Sequence, residues 1–231
     1  MGKHKIETKI VEFNGLPGSG KSTVVSELNK KIQSEGKRIC DFTTYFRKYK
    51  SNKKVNIKSI LNINCKCIKY IFYILIFSYL QEERFLNKVK VSLSTIKQFL
   101  ILNYCYSVEQ YEYIILDQGT IQNLISIAYD KKVTALKYVE KIFSVIDKTF
   151  LNFYIVNTDI DNKSIILRLG KREHGTSRLD LLKNVDLINI INIQRDNFNY
   201  IRSSNIILKS INIDTNKDIS ENVKIVRNFI M

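Results

Sequence analysis

The apolar positions of this chain follow two periods in turn. Lys9 to Asn14 is a short apolar run that reads as a strand. Thr23 to Lys37 reads as a helix, with Val24, Val25, Leu28 and Ile32 on one stripe and Gly36 where the helix should stop. Arg38 to Thr43 is a second strand. Tyr113 to Leu116 is a buried apolar strand that ends at Asp117. Phe150 to Val156 and Asn205 to Ile213 are two more, and helical patterns lie between them. Strands that alternate with helices predict an α/β fold: a three-layer sandwich whose mainly parallel sheet of about five strands is covered on both faces.

The segment 46–111, between the second and third strands, reads as a helical insertion with helices over Ile57 to Gln81 and Glu83 to Val108. Within it, Ile68 to Leu80 is almost wholly apolar apart from Lys69. A membrane span needs roughly 20 apolar residues, so this shorter run predicts no transmembrane segment. A helix buried on all sides is the plainest expectation. An interfacial helix, or a homodimer contact through the insertion, is the alternative. No repeat, Pro-rich linker or low-complexity tract divides the chain, so residues 1–231 read as a single domain.

Composition adds a sign. The formal charge is +15, from 37 Lys and Arg against 22 Asp and Glu. An anionic partner is one reading. The other is compositional, because the chain is crowded with Ile, Asn and Lys and has one Pro and no Trp. Locally, Arg47-Lys48-Tyr49-Lys50, Lys53, Lys54 and Lys58 form a basic run with no acid among them. It suits a small anionic acceptor or is a solvated charge run. Without regular aromatic interleaving, nucleic acid is allowed but not favoured as a partner. Cys40, Cys65, Cys67 and Cys105 show no C-x-x-C spacing and no neighbouring His, which argues against zinc and for a reduced, cytoplasmic protein. The polar start, Met1 to Lys9, does not read as a signal peptide.

The chemistry centres on Gly15-Leu16-Pro17-Gly18-Ser19-Gly20-Lys21-Ser22, a P-loop between a strand and an amphipathic helix. Gly15, Gly18, Ser19 and Gly20 would turn backbone N–H groups onto phosphate oxygens, and the helix N-terminus adds partial positive charge. Lys21 would bridge the β- and γ-phosphates, Ser22 would coordinate Mg²⁺, and Thr23 would meet the α-phosphate. Asp117, at a strand end facing the same crevice, would hold Mg²⁺ through water or accept a proton from the acceptor hydroxyl, unless it caps the helix from Thr120. Asp41, at the end of the second strand, is either the base for the acceptor or a turn residue.

The guanine motif of Ras-type GTPases is missing: Asn157-Thr158-Asp159-Ile160-Asp161 stands at the comparable place. The second half instead resembles P-loop nucleotide kinases, thymidylate kinases in particular. Phe153-Tyr154-Ile155-Val156 leads to Asp159 and then to Arg168-Leu169-Gly170-Lys171-Arg172, an R-x-x-x-R pattern, with a helix expected to restart at Leu179. The C-terminal strand, Asp214 and the helix Ile219 to Ile230 follow the same plan. The resemblance implies a lid over 168–178 carrying Arg168, Arg172 and Arg178, and an adenine-side loop at Asp214 to Asp218. Mobile guanidinium groups suit the charge that phosphoryl transfer develops. The acceptor half departs from thymidylate kinases, with Asp41-Phe42-Thr43-Thr44 and Asp117-Gln118 where that family carries Arg-Glu-Pro and Asp-Arg.

The expectation is therefore a P-loop kinase that uses ATP, or another nucleoside triphosphate, with Mg²⁺. Its γ-phosphate would go to a small, anionic acceptor: a nucleotide, a nucleoside or a phosphorylated metabolite. The rivals are a nucleotide-binding regulatory protein and a nucleic-acid end kinase.

Overall fold

The structure is a computed structural model that describes residues 7–49, 58–81, 85–109, 111–129, 131–171, 184–203 and 209–231. Among these residues the strands are β1 (Lys9–Asn14), β2 (Ile39–Asp41), β3 (Tyr113–Leu116), β4 (Phe153–Asp159) and β5 (Ser210–Asp214). They form one sheet in the order β2-β3-β1-β4-β5, and every pairing is parallel. The helices are α1 (Lys21–Ser34), α2 (Phe42–Tyr49), α3 (Cys65–Leu80), α4 (Phe85–Val108), α5 (Thr120–Ala128), α6 (Leu136–Thr149), α7 (Asn162–Gly170), α8 (Asn184–Ser203) and α9 (Ile219–Ile230).

The period-2 geometry of the strands divides the core in two. Val11, Phe13, Ile115, Val156 and Ile213 point to one face, where α1 and α9 cover them with Val24, Leu28, Ile32 and Val226. Ile10, Ile114, Leu116 and Ile155 point to the other face, which α3 to α6 and α8 cover. This is the expected three-layer sandwich. Burial on both faces explains why β3 reads Tyr-Ile-Ile-Leu with no polar position.

The insertion holds to the sheet through aromatic packing. Tyr70 of α3 stacks on Phe99 of α4 with ring centroids 3.7 Å apart, and Phe150 meets Phe99 edge-on at 5.7 Å. All three rings are buried. Truncating one to Ala would cost about 3–5 kcal/mol.

Several boundaries differ from the sequence expectation, each for a local reason. Helix α3 starts at Cys65 because the Asn64 side chain accepts from Lys66 N at 3.0 Å and Cys67 N at 3.1 Å, so Ile57 to Gln81 is not one helix. The second strand stops at Asp41, and α2 replaces its expected end and the start of the insertion. The fourth strand begins at Phe153, because Phe150 closes the end of α6 and lies in the core. Of the helix expected from Leu179, the described part is α8. Helix α3 is also not buried on all sides. Cys67, Tyr70, Ile74 and Phe77 face inward, while Ile68, Phe72, Leu75 and Tyr79 are exposed. No helix among the described residues is long and apolar enough to cross a membrane.

Candidate phosphate-binding site

The chain leaves β1 at Asn14 and enters α1 at Lys21, so the turn between them is tight. Gly15, Gly18 and Gly20 carry it with φ of 152°, 85° and 84°. At Gly15 the space is closed as well: a Cβ there would lie 2.0 Å from Thr158 Oγ1. Gly20 is the N-cap of α1, left-handed and with no side-chain cap. The positive end of the helix dipole is thus presented to whatever the loop encloses.

A short chain of hydroxyls braces the loop from β4. Thr158 Oγ1 donates to Asn14 O at 3.0 Å, which leaves Ser19 Oγ as the donor in its 2.7 Å bond to Thr158 Oγ1. Lys21 is buried and lies across the loop. Its ammonium donates to Gly15 O at 2.6 Å, Leu16 O at 3.0 Å and Ser19 Oγ at 3.4 Å. These acceptors are neutral oxygens, which a phosphate would outcompete on charge.

Because β3 lies beside β1, Asp117 comes next to the first turn of α1. Ser22 Oγ donates to Asp117 Oδ2 at 2.7 Å, and Asp117 Oδ1 is buried with no hydrogen-bond partner among the described residues. A hydroxyl and a carboxylate with an unsatisfied oxygen, at the mouth of a phosphate loop, form a hard oxygen set that fits Mg²⁺. The capping alternative for Asp117 has no counterpart, since the N-cap of α5 is Gly119 without a side-chain cap.

The N-terminus of α5 is instead served from the centre of the sheet by Glu12, a residue that the sequence reading passed over. Glu12 Oε1 accepts from Ile121 N at 2.9 Å, and Oε2 has no hydrogen-bond partner among the described residues. The carboxyl is fully buried, and burial pushes its pKa up to about 7 against the lowering effect of the Ile121 and Thr120 N–H groups and Asn14. It lies directly under the turn that follows Asp117: a Cβ on Gly119 would be 2.0 Å from Glu12 Cδ. The available signal was an acid inside the apolar run Ile10-Val11-Glu12-Phe13.

Asp41 stands at the C-terminal end of β2, paired in register with Ile115. Asp117 therefore lies two residues, or roughly 7 Å, further along the sheet. Both Asp41 oxygens engage Thr44, Oδ1 from its N–H at 3.2 Å and Oδ2 from its hydroxyl at 3.0 Å. This is the turn geometry. Each oxygen keeps a further lone pair for an acceptor hydroxyl.

The loops of the second half close over the P-loop. Helix α7 approaches Gly18, where a Cβ would lie 3.4 Å from Leu169 Cγ. Arg168 Nη2 donates to Thr215 O at 3.0 Å, and both residues border Gly20. Asp214 Oδ1 accepts from Asn216 N and shapes the β5–α9 turn. Thr215 N donates to Asp159 O at 3.1 Å and ties that turn to β4. Arg195 of α8 binds Asp159 Oδ1 at 3.1 Å and Ile160 O at 2.6 Å. Thr23 opens onto a groove of about 950 Å³ between α1 and α9, shared with Asp218 and Ser220. The other expected lid arginines, Arg172 and Arg178, lie outside the described residues, as do Lys50, Lys53 and Lys54 of the basic run. Arg47 and Lys48 are exposed at the end of α2.

No family model matches the chain, and no curated protein matches it. Solved structures do. A deoxyadenosine kinase from M. mycoides, with the products dCMP and a flexible dCDP bound, is similar at 17% identity and a TM-score of 0.50, covering 95% of this chain and 97% of that one. The same enzyme with dATP bound aligns at 16% identity and a TM-score of 0.47, over 95% and 97% of the two chains. At this identity the likeness shows the fold alone.

Proposed function

We propose that this chain is a phosphotransferase that moves the γ-phosphate of Mg·ATP, or of another nucleoside triphosphate, to a small acceptor of the nucleoside or nucleotide class. The observation that carries the reading is the meeting of Lys21, Ser22 and Asp117 at one loop mouth, with a buried carboxylate oxygen left unpaired among the described residues. The fold supports the acceptor class, as does the product-bound state of the M. mycoides enzyme.

In this reading the loop N–H groups and Lys21 hold the β- and γ-phosphates, and Thr23 meets the α-phosphate. Gly15, Gly18, Ser19 and Gly20 provide the cradle. Ser22 and Asp117 hold Mg²⁺, which when bound neutralises charge on the phosphate oxygens. Arg168 and the Asp214 turn flank the base, and Arg168 closes with Arg172 and Arg178 onto the transferring group. Asp41 accepts the proton of the attacking hydroxyl through a lone pair that its cap leaves open.

The test is a panel of nucleosides, nucleoside monophosphates and phosphorylated sugars, incubated with Mg·ATP and scored by product mass. A product heavier than its acceptor by one phosphoryl group, absent with Lys21→Ala, is expected. Nucleotide binding with no acceptor-stimulated ATP consumption would transfer the reading to a regulatory nucleotide-binding protein. Labelling of a nucleic-acid end alone would transfer it to an end kinase.

A further inference from the structure

Helix α8 turns its apolar side chains onto the core, with Ile191, Phe198 and Ile201 all buried. Arg195 stands four residues after Ile191 and three before Phe198, so it shares that inward face. Its guanidinium spans the turn that ends β4 and opens α7. Nη1 donates to Asp159 Oδ1 at 3.1 Å and Nη2 to Ile160 O at 2.6 Å. Nε and Nη2 donate to Asn162 Oδ1 at 3.1 and 2.8 Å. A second tie from α8 ends at the same residue, because Asn162 Nδ2 donates to Asn192 Oδ1 at 2.8 Å.

The gripped turn governs both ends of Arg168. Helix α7 begins there, with its N-cap Asp161 accepting from Ser164 N at 2.8 Å. Arg168 stands six residues after Asn162, roughly 9 Å further along the helix axis. The head of Arg168 donates to Thr215 O at 3.0 Å. Thr215 in turn donates to Asp159 O, from its N–H at 3.1 Å and from its hydroxyl at 3.2 Å. The backbone and the guanidinium of Arg168 thus both trace back to the stretch from Asp159 to Asn162, and Arg195 holds that stretch.

The lever is long enough to matter. A tilt of about 10° at the start of α7 would move Arg168 by roughly 1.5 Å, given the rise of the helix. A misplacement of about 1 Å can cost a reaction about 10²-fold in rate. The ion pair itself adds little to stability, because the Asp159 side chain is 61% exposed. Three acceptors spread over one turn need a planar fork of donors, which an arginine has and a lysine lacks.

We propose that Arg195 is a positioning residue for phosphoryl transfer: from α8 it fixes the β4–α7 turn and, through Asp159 and Thr215, the place of Arg168. The inference rests on the phosphotransferase reading of the site.

The experiment has one arm that needs no catalysis and one that does. In the first, hydrogen–deuterium exchange is followed in the full chain with and without Mg·ATP. Arg195→Ala should speed exchange in α7 and in the β5–α9 turn by about tenfold or more, and leave β1 and α1 unchanged. In the second, transfer is measured from Mg·ATP to a mixture of the common nucleosides and nucleoside monophosphates. Arg195→Ala should lower kcat by about tenfold or more with ATP affinity within about twofold, and Arg195→Lys should recover only part of the loss. In a background of Arg168→Ala the further loss from Arg195→Ala should nearly vanish, since the two act as one unit. Fully additive losses, or unchanged exchange in both segments, overturn the proposal. So does a fall in ATP affinity larger than the fall in kcat, which would make Arg195 a phosphate ligand. Should Arg195→Ala not fold, Asn162→Ala removes two of the four bonds and is expected to act in the same direction, and no change in exchange there overturns the proposal. A wild-type chain that binds Mg·ATP but transfers to no acceptor overturns the phosphotransferase reading, and the catalytic role of Arg195 with it. Faster exchange confined to the two segments would still support the clamp.

Discussion

The two sides of the crevice are built differently. On the P-loop side, β1, β3, β4 and β5 end in short turns whose polar groups reach one another directly: Ser22 to Asp117, Ser19 to Thr158, Arg168 to Thr215. On the β2 side, among the described residues Asp41 binds only its own turn through Thr44, and the insertion beyond it is joined to the sheet by the Tyr70, Phe99 and Phe150 rings. A phosphate is the same ligand in every nucleotide, so a site for it is a fixed set of charges and N–H groups. An acceptor differs from enzyme to enzyme, and its pocket is a shape made by packing.

The sharpest way to break this contrast is a pair of carboxylate variants. Asp41→Asn should cut phosphoryl transfer by roughly 10²- to 10⁴-fold while Mg·ATP affinity stays within about twofold, the pattern of a lost general base. Asp117→Asn should weaken Mg²⁺-dependent ATP binding as well, by about tenfold or more, measured by calorimetry with and without the metal. Equal losses of ATP binding in both variants would erase the division into two sides. Full transfer in Asp41→Asn would leave Asp41 a helix cap only.

Next in size is Lys21→Ala. Nucleotide affinity or turnover should fall by at least about tenfold, since a charge on the β- and γ-phosphates is lost. The thermal melt should move little, because the lysine's bonds in the loop go to neutral oxygens. A variant with wild-type turnover would refute the phosphate site.

Arg168→Ala sharpens the picture within the P-loop side. It should lower the rate at saturating ATP by several-fold, more than it weakens ground-state binding, if the arginine closes on transition-state charge. A change in KM for ATP with kcat untouched would assign Arg168 to the base through its tie to Thr215.

The smallest effect concerns stability. Glu12 has a folded pKa near 7 against an ordinary 4.5, because burial disfavours its charge. Below about 4.5 both folded and unfolded chains hold the proton. As pH rises from there through 7, the unfolded chain releases it first, so the contribution of Glu12 to stability declines. Glu12→Gln keeps an acceptor for Ile121 N–H and removes the titration. Its melting temperature should exceed the wild type's by a few degrees at pH 8, and the difference should shrink towards pH 5. A difference that does not vary with pH would show that Glu12 stays in one protonation state.

The pattern of legibility follows the same division. That Lys21, Ser22 and Asp117 would meet at one loop mouth was readable, because the P-loop spacing and a carboxylate at a strand end are local signs. Thr158 was not, because its bonds to Ser19 and Asn14 exist only where β4 lies beside β1. Glu12 looked like an interruption in an apolar strand until α5 came to rest above it.

What the sequence determined by itself was periodic or local: parallel strands covered on both faces, a tight glycine-rich turn between β1 and α1, and a helical insertion after β2. These depend on the spacing of apolar side chains and on backbone angles that glycine permits, and both are properties of neighbouring residues. Only the tertiary structure decided that α3 is half exposed, that Glu12 and not Asp117 serves the α5 turn, and that Asp41 is tied to Thr44. A side chain's burial and its partners depend on which elements pack against it, and that is set by the strand order β2-β3-β1-β4-β5, which no local stretch of the chain encodes.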